Sequence, residues 1–291
     1  MVKTLRNLYL GTRRQLLALG DRDIAEFYAQ ELVCHMTGKH RDQFFTQPDM
    51  YVGDDVCNRV EEGLARLLNE EPLAYVLGEW DFYGMTLKVN KDVLIPRDDT
   101  CAVVELALEE AQKRTGEIRV LDLCTGSGCI GLAIAKNVPS ARVTLADISP
   151  AALAVAKENI TLQKLSARVA CTTANALGKP PAFLGKFDLI ISNPPYITTR
   201  EMTELPKSVD DYEPHLALHG GDDGLQFYRA IAENYRHILK DDGVLCFEFG
   251  EGQGDDVSRI LTENGFTVCD RTKDYNERER AISARYQRED E

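Results

Sequence analysis

The stretch Val120-Leu121-Asp122-Leu123-Cys124-Thr125-Gly126-Ser127-Gly128-Cys129-Ile130-Gly131 constrains the fold of this chain more than any other. An apolar strand runs into a glycine-containing turn and then into a helical pattern carried by Ile130, Ala133 and Ile134. Glycines let the backbone pass close to a ligand and leave N–H groups free at a helix start. Arg142-Val143-Thr144-Leu145-Ala146-Asp147 follows as a second strand, ending in a carboxylate able to accept both hydroxyls of a ribose. Strand, glycine turn, helix, strand, acid is one βαβ half, and repetition of that unit builds a parallel sheet with helices on both faces.

The alternation continues downstream. Strand candidates lie at 168–172, 187–192, 244–249, 267–270 and 281–286, with helical patterns at 151–162, 225–239 and 255–264. The last two strands have no helix between them, which predicts an antiparallel pair. The first eighty residues read as a separate helical bundle. Asp21 is placed to cap a helix whose Ile24, Phe27, Tyr28 and Leu32 share a face, and Asp54 or Asp55 to cap another carrying Val56, Val60, Leu64 and Leu67. From Trp80 to Val93 apolar and polar residues alternate around Gly84, as in a β-hairpin joining two domains. The expected boundaries are 1–78 for the helical domain, 79–97 for the linker and 98–291 for the α/β domain.

Asn193-Pro194-Pro195-Tyr196 sits directly behind the apolar run Phe187 to Ser192, so a buried strand delivers an amide, two rigid prolines and an aromatic ring to its carboxyl end. Such a set suits methylation of a planar nitrogen. The lone pair of an amide or exocyclic amine is delocalised, and its N–H donors must be held while the nitrogen turns toward an electrophile. The Asn193 carbonyl and the Pro194 backbone carbonyl can hold them; proline fixes φ, and Tyr196 can stack on the flat group.

Gly126, Gly128 and Gly131 also satisfy G-x-G-x-x-G, so a nicotinamide-dependent dehydrogenase competes. Asp122 within the first strand and the tetrapeptide after the fourth favour S-adenosylmethionine instead, because hydride transfer has no use for Asn193 to Tyr196. The expected cofactor contacts are Asp122, Cys124, Thr125, Gly126, Ser127 and Gly128 in the loop, with Asp147, Asn175 and Asn193 beyond it. Cys124 stands where glycine is common, which predicts a negative φ or room for a small side chain. Ala174-Asn175-Ala176 offers an amide to the adenine but no aromatic platform. Arg97 is expected to face the cleft and, with Asn193, Pro194, Pro195 and Tyr196, to contact the acceptor. The chemistry requires no metal.

A net charge of −13 argues against a duplex-DNA adenine methyltransferase, which would use the same tetrapeptide on a basic surface. The 44% hydrophobic content can fill a core, and neither a signal-length apolar run nor a membrane span is present, so the expected location is cytoplasmic. Eight cysteines without Cys-x-x-Cys spacing read as reduced thiols, mostly in the core.

Taken together, these residues resemble the class I S-adenosylmethionine-dependent methyltransferases that act on amide or amino nitrogen. More narrowly, several spaced segments are similar to the bacterial peptide chain release factor glutamine methyltransferases. These are Glu71 to Gly78, Phe82-Tyr83-Gly84, Leu94 to Thr100, Glu213-Pro214, Gly220 to Leu225 and Asp274 to Arg278. Asp98 and Cys101 depart from the usual Ile-Pro-Arg-Pro-(Asp or Glu)-Thr-Glu. The resemblance implies a seven-stranded, mostly parallel Rossmann-like sheet and an N-terminal domain that helps to grip the substrate. It also implies methylation of the side-chain nitrogen of a Gly-Gly-Gln glutamine in class 1 release factors. A ribosomal-protein glutamine is the alternative acceptor.

Overall fold

Every second residue of the central strands faces the same side of one sheet, and both sides are covered. In the computed structural model, which describes residues 3–287, the strands are β1 (Ile118–Leu123), β2 (Ala141–Asp147), β3 (Val169–Thr173), β4 (Phe187–Ser192), β5 (Leu239–Glu248), β6 (Phe266–Lys273) and β7 (Glu279–Tyr286). Their spatial order is β3-β2-β1-β4-β5-β7-β6, and β7 alone runs against its neighbours. Val120, Val143, Leu189, Ile191 and Val244 pack on one face against the helices Cys101–Gln112, Cys129–Asn137 and Pro150–Leu162. Leu121, Leu123, Ile190, Leu245 and Phe247 pack on the other against Gln226–Tyr235 and Gly254–Glu263. A strand buried on both faces has no polar side, which is why β1 and β4 read as continuous apolar runs.

The chain divides into two units. This sheet and its helices belong to the unit formed by Trp80–Pro206 and the chain from Glu213 onward. The hairpin of Glu79–Phe82 and Met85–Lys88 turns through Tyr83 (φ 47°) and Gly84 (φ 70°), two positive φ values in succession, as a two-residue type I′ turn requires. Buried Asn159 ties this hairpin to the first loop: it donates to the Lys88 carbonyl at 3.0 Å and to the Ser127 carbonyl at 2.9 Å, and accepts from the Lys88 N–H at 2.6 Å. β5 begins earlier than its apolar run predicts, because Leu239 pairs with Phe187. The preceding helix accordingly ends at Tyr235, with a 3₁₀ turn at Arg236–Ile238.

The other unit holds the chain up to Glu79 together with Lys207–Tyr212. Its main helices are Leu5–Leu16, Arg22–Thr37 and Asp54–Leu68. Asp21 caps the second, accepting the N–H groups of Asp23 at 2.8 Å and Ile24 at 3.0 Å. The buried stripe of that helix is Ala25, Ala29, Leu32 and Val33; Ile24 and Phe27 are 44% and 47% exposed and do not belong to the core as their spacing suggested. Packing one position around the helix lets small Ala25 and Ala29 bring the neighbouring helices close. Neither Asp54 nor Asp55 caps the third helix. Gly53 holds the extended N-cap conformation, and both acids lie in the first turn, favourably placed against the helix dipole. Lys207 approaches Glu70, and the Tyr212 hydroxyl donates to the Asn69 carbonyl at 2.8 Å, so this part of the 198–213 loop packs within the helical unit. No helix among the described residues is long and apolar enough to cross a membrane.

Candidate active site

The carboxyl ends of β1, β2 and β4 open into one cleft, about 1030 Å³ when the solvent at its mouth is included. Of the expected residues, the walls bring together Arg97, Cys124, Thr125, Gly126, Ser127, Asp147, Asn175, Asn193 and Pro195. Asp122, Gly128, Pro194 and Tyr196 are not on the walls.

Asp122 lies fully buried behind the loop. Its Oδ2 accepts from the Thr125 hydroxyl at 2.5 Å and from the Gly131 N–H at 2.9 Å, so it folds the loop instead of facing the cleft. Burial pushes its carboxyl up to about 7, only partly offset by those two donors. Gly128, with φ 86°, starts the helix Cys129–Asn137; a Cβ there would lie 3.0 Å from Leu145. Cys124 contradicts the expectation of a negative φ. Its φ is +61°, and the left-handed turn brings the Thr125 N–H to the Ala146 carbonyl at 3.1 Å. Glycine would adopt this conformation more readily; the cysteine tolerates it and adds a side chain to the cleft wall.

Asp147 caps the opposite side. Its Oδ2 accepts the Gly126 N–H at 2.9 Å and its Oδ1 the Ser149 N–H at 2.9 Å, leaving further lone pairs for a diol. Burial raises its carboxyl above the usual range, and the backbone donors at Ser149, Gly126 and Ile148 pull it back. The Asn175 Oδ1 accepts the Leu177 N–H at 3.0 Å, which leaves its amide N–H₂ free to meet a base. Pro195 lines the cleft beside Asn193, whereas Tyr196 turns away: its ring lies over Gly250, and its carbonyl accepts from Gln253 Nε2 at 3.1 Å. Arg97 pairs with buried Glu213, whose other oxygen accepts the Ile95 N–H at 3.3 Å. That pair joins two stretches of wall, Leu94 to Arg97 and Pro214 to Ala217.

Sequence reasoning missed Thr100, Ile148, Leu177 and Phe227, all on the walls. Phe227 puts an aromatic ring on the wall, whereas the stretch Ala174 to Ala176 has none. Ile148 was legible as an apolar residue immediately after the acid of the second strand; Thr100 and Phe227 arrive from segments distant in sequence. A close-backed glycine loop, a carboxylate with spare lone pairs and an apolar flank fit the aminoacid, ribose and adenine parts of S-adenosylmethionine respectively.

A 3-2-1-4-5-7-6 sheet with this loop after β1, an acid ending β2 and Asn193 after β4 defines a class I methyltransferase, with S-adenosylmethionine as its methyl donor. Residues 100–208 match the family "Methyltransferase small domain" and residues 11–78 the "PrmC N-terminal domain". The release factor glutamine methyltransferase of Thermodesulfovibrio yellowstonii is 38% identical over 84% of this chain and 87% of its own length, and that of Agrobacterium fabrum 36% identical over 95% of both. The chain belongs to the release factor glutamine methyltransferase family. Among solved structures, the hMettl16 catalytic domain superposes with a TM-score of 0.58 over 88% of this chain and 92% of that one; at 13% identity this likeness concerns the fold alone.

Proposed function

We propose that this enzyme methylates the side-chain nitrogen of the glutamine in the Gly-Gly-Gln motif of class 1 peptide chain release factors. Membership of the family supports the acceptor, and one observation carries the chemistry: the Asn193 carboxamide stands on the wall of the cofactor cleft, at the end of β4. S-adenosylmethionine supplies an activated methyl group. The chain's own residues then have to hold the acceptor in line and keep water out. Asn193 Oδ1, on the wall, accepts one amide N–H and the Pro194 carbonyl, just outside the cofactor cleft, the other; Pro195 stiffens that corner, and Tyr196 supports it from behind. Arg97 and Glu213 join the neighbouring walls. Asp147 holds the ribose, and the backbone of Gly126 and Ser127 passes the methionine part. The helical unit, the chain up to Glu79 with Lys207–Tyr212, helps to orient the whole substrate protein, and the net charge of −13 fits a protein acceptor better than a nucleic acid.

The test is tandem mass spectrometry of a release factor incubated with enzyme and S-adenosylmethionine. The expected product carries one methyl on the glutamine side-chain nitrogen, and a release factor with glutamate at that position is not modified, because a carboxylate offers no N–H to hold. A methyl found on lysine, on an adenine or only on a ribosomal protein would overturn the assignment.

A further inference from the structure

We propose that Glu248 is a positioning residue for methyl transfer: through Thr100 it fixes the direction of the Asn193 carboxamide and turns the carbonyl oxygen into the cleft. The inference rests on the glutamine-amide reading above and adds a residue that reading does not use.

The register of the sheet brings the two residues together. β4 and β5 are parallel with Ser192 opposite Phe247, so Asn193, the first residue past β4, comes beside Glu248, the last residue of β5. Asn193 Nδ2 donates to the Thr100 hydroxyl oxygen at 3.5 Å. Thr100 and Glu248 are 2% and 1% exposed, and the Thr100 and Asn193 side chains both favour the charged form of the Glu248 carboxylate. Glu248 Oε2 has no hydrogen-bond partner among the described residues.

A buried carboxylate left outside an ion pair is costly and needs a reason. Arg280 does not provide one: its guanidinium lies 3.1 Å from Asp99 and 3.3 Å from Asp274. The reason lies in what a carboxylate refuses. An ionised carboxylate only accepts, so a Thr100 hydroxyl turned toward Glu248 donates its O–H to it and presents a lone pair to Asn193. The N–H₂ of Asn193 can meet that lone pair; its oxygen cannot. A carboxamide is nearly symmetrical in shape, and without this bias it turns either way. The flipped rotamer aims N–H₂ at the cleft, where it cannot hold an acceptor's N–H groups.

The same geometry has a pH signature. Burial pushes the Glu248 carboxyl up to about 7, with Thr100, Arg280 and Asn193 pulling it down and Asp99 pushing it up. Tyr196, Tyr228, Cys101 and Cys129 also feel its charge, and burial pushes all four above their ordinary ranges, away from neutrality. Protonation of Glu248 removes the acceptor-only constraint, so turnover falls as the pH drops below about 7. Asp122, also near 7, sits behind the loop and is separated from Glu248 by substitution.

The experiment measures steady-state methylation of a release factor by wild type, Glu248→Gln, Thr100→Val and Thr100→Ser, with calorimetry of S-adenosylmethionine binding for each. Glu248→Gln and Thr100→Val should each lower kcat at least about tenfold with cofactor affinity within about twofold, as expected for loss of a transition-state contact. Thr100→Ser, which keeps the hydroxyl, should recover most of what Thr100→Val loses. The acidic limb of the kcat profile should vanish in Glu248→Gln. Wild-type kcat and an unchanged limb in a cofactor-binding variant overturn the inference alone; a wild-type enzyme that leaves glutamine unmodified overturns the proposed acceptor and this inference with it. Should Glu248→Gln fail to fold, the split between kcat and cofactor affinity in Thr100→Val decides the matter.

Discussion

Asp147 and Gly126 are joined across the mouth of the cleft by a 2.9 Å hydrogen bond from the Gly126 N–H to Oδ2. One carboxylate thus holds the tip of the first loop in place and keeps further lone pairs for the proposed ribose contact. Binding and loop order are therefore coupled at this residue.

Asp147→Ala should weaken S-adenosylmethionine binding by about 1.5–3 kcal/mol through lost charge-assisted hydrogen bonds. Titration calorimetry measures this directly. Unchanged affinity would remove Asp147 from the site.

Asn193→Ala should behave differently, because Asn193 is assigned to the acceptor. The variant should fold and bind cofactor, yet transfer methyl at least roughly a hundredfold more slowly, about 2.7 kcal/mol of barrier. Single-turnover kinetics with saturating cofactor separates the two steps. Near-normal turnover would remove the amide clamp.

The parts legible in sequence were those whose signal is local. β4 is the apolar run Phe187 to Ser192, and Asp21 caps its helix because the capping residue and the N–H groups it satisfies are neighbours. Ile24 and Phe27 were misplaced because period alone gives a face, and which of two adjacent faces is buried depends on what the partner helices can approach. Cys124 was misjudged since its positive φ is imposed by the turn out of β1, not by its own preference. Phe227 and Thr100 reach the cleft through strand order, and Glu248 meets Asn193 only through the register of β4 with β5.

Gly131→Ala tests the packing behind the loop. Alanine favours a helix over glycine by about 1 kcal/mol. Here the added Cβ would lie 2.3 Å from a Leu145 methyl and 2.9 Å from Asp122 Oδ2, and overpacking of that kind costs about 1–3 kcal/mol. The steric effect should win, lowering stability in chemical denaturation and weakening cofactor binding through the displaced loop. A stabilised variant would mean that Leu145 yields without cost.

Asp122 predicts how stability follows pH. Its folded carboxyl titrates at about 7, whereas the unfolded chain releases the same proton near pH 4. Between those limits the folded protein binds a proton that the unfolded chain has lost, so stability falls with rising pH. The contribution is fully present below about pH 4 and lost as the pH climbs through about 7. Asp122→Asn can still accept from Thr125 and Gly131 through its carbonyl oxygen, and it is neutral throughout. Relative to wild type, the variant should therefore gain about 2–4 kcal/mol between about pH 4.5 and about pH 8, at ~1.4 kcal/mol per pH unit. Urea denaturation of both proteins at the two pH values measures the difference, and a gap that stays constant would show that folded Asp122 is ionised across the whole range.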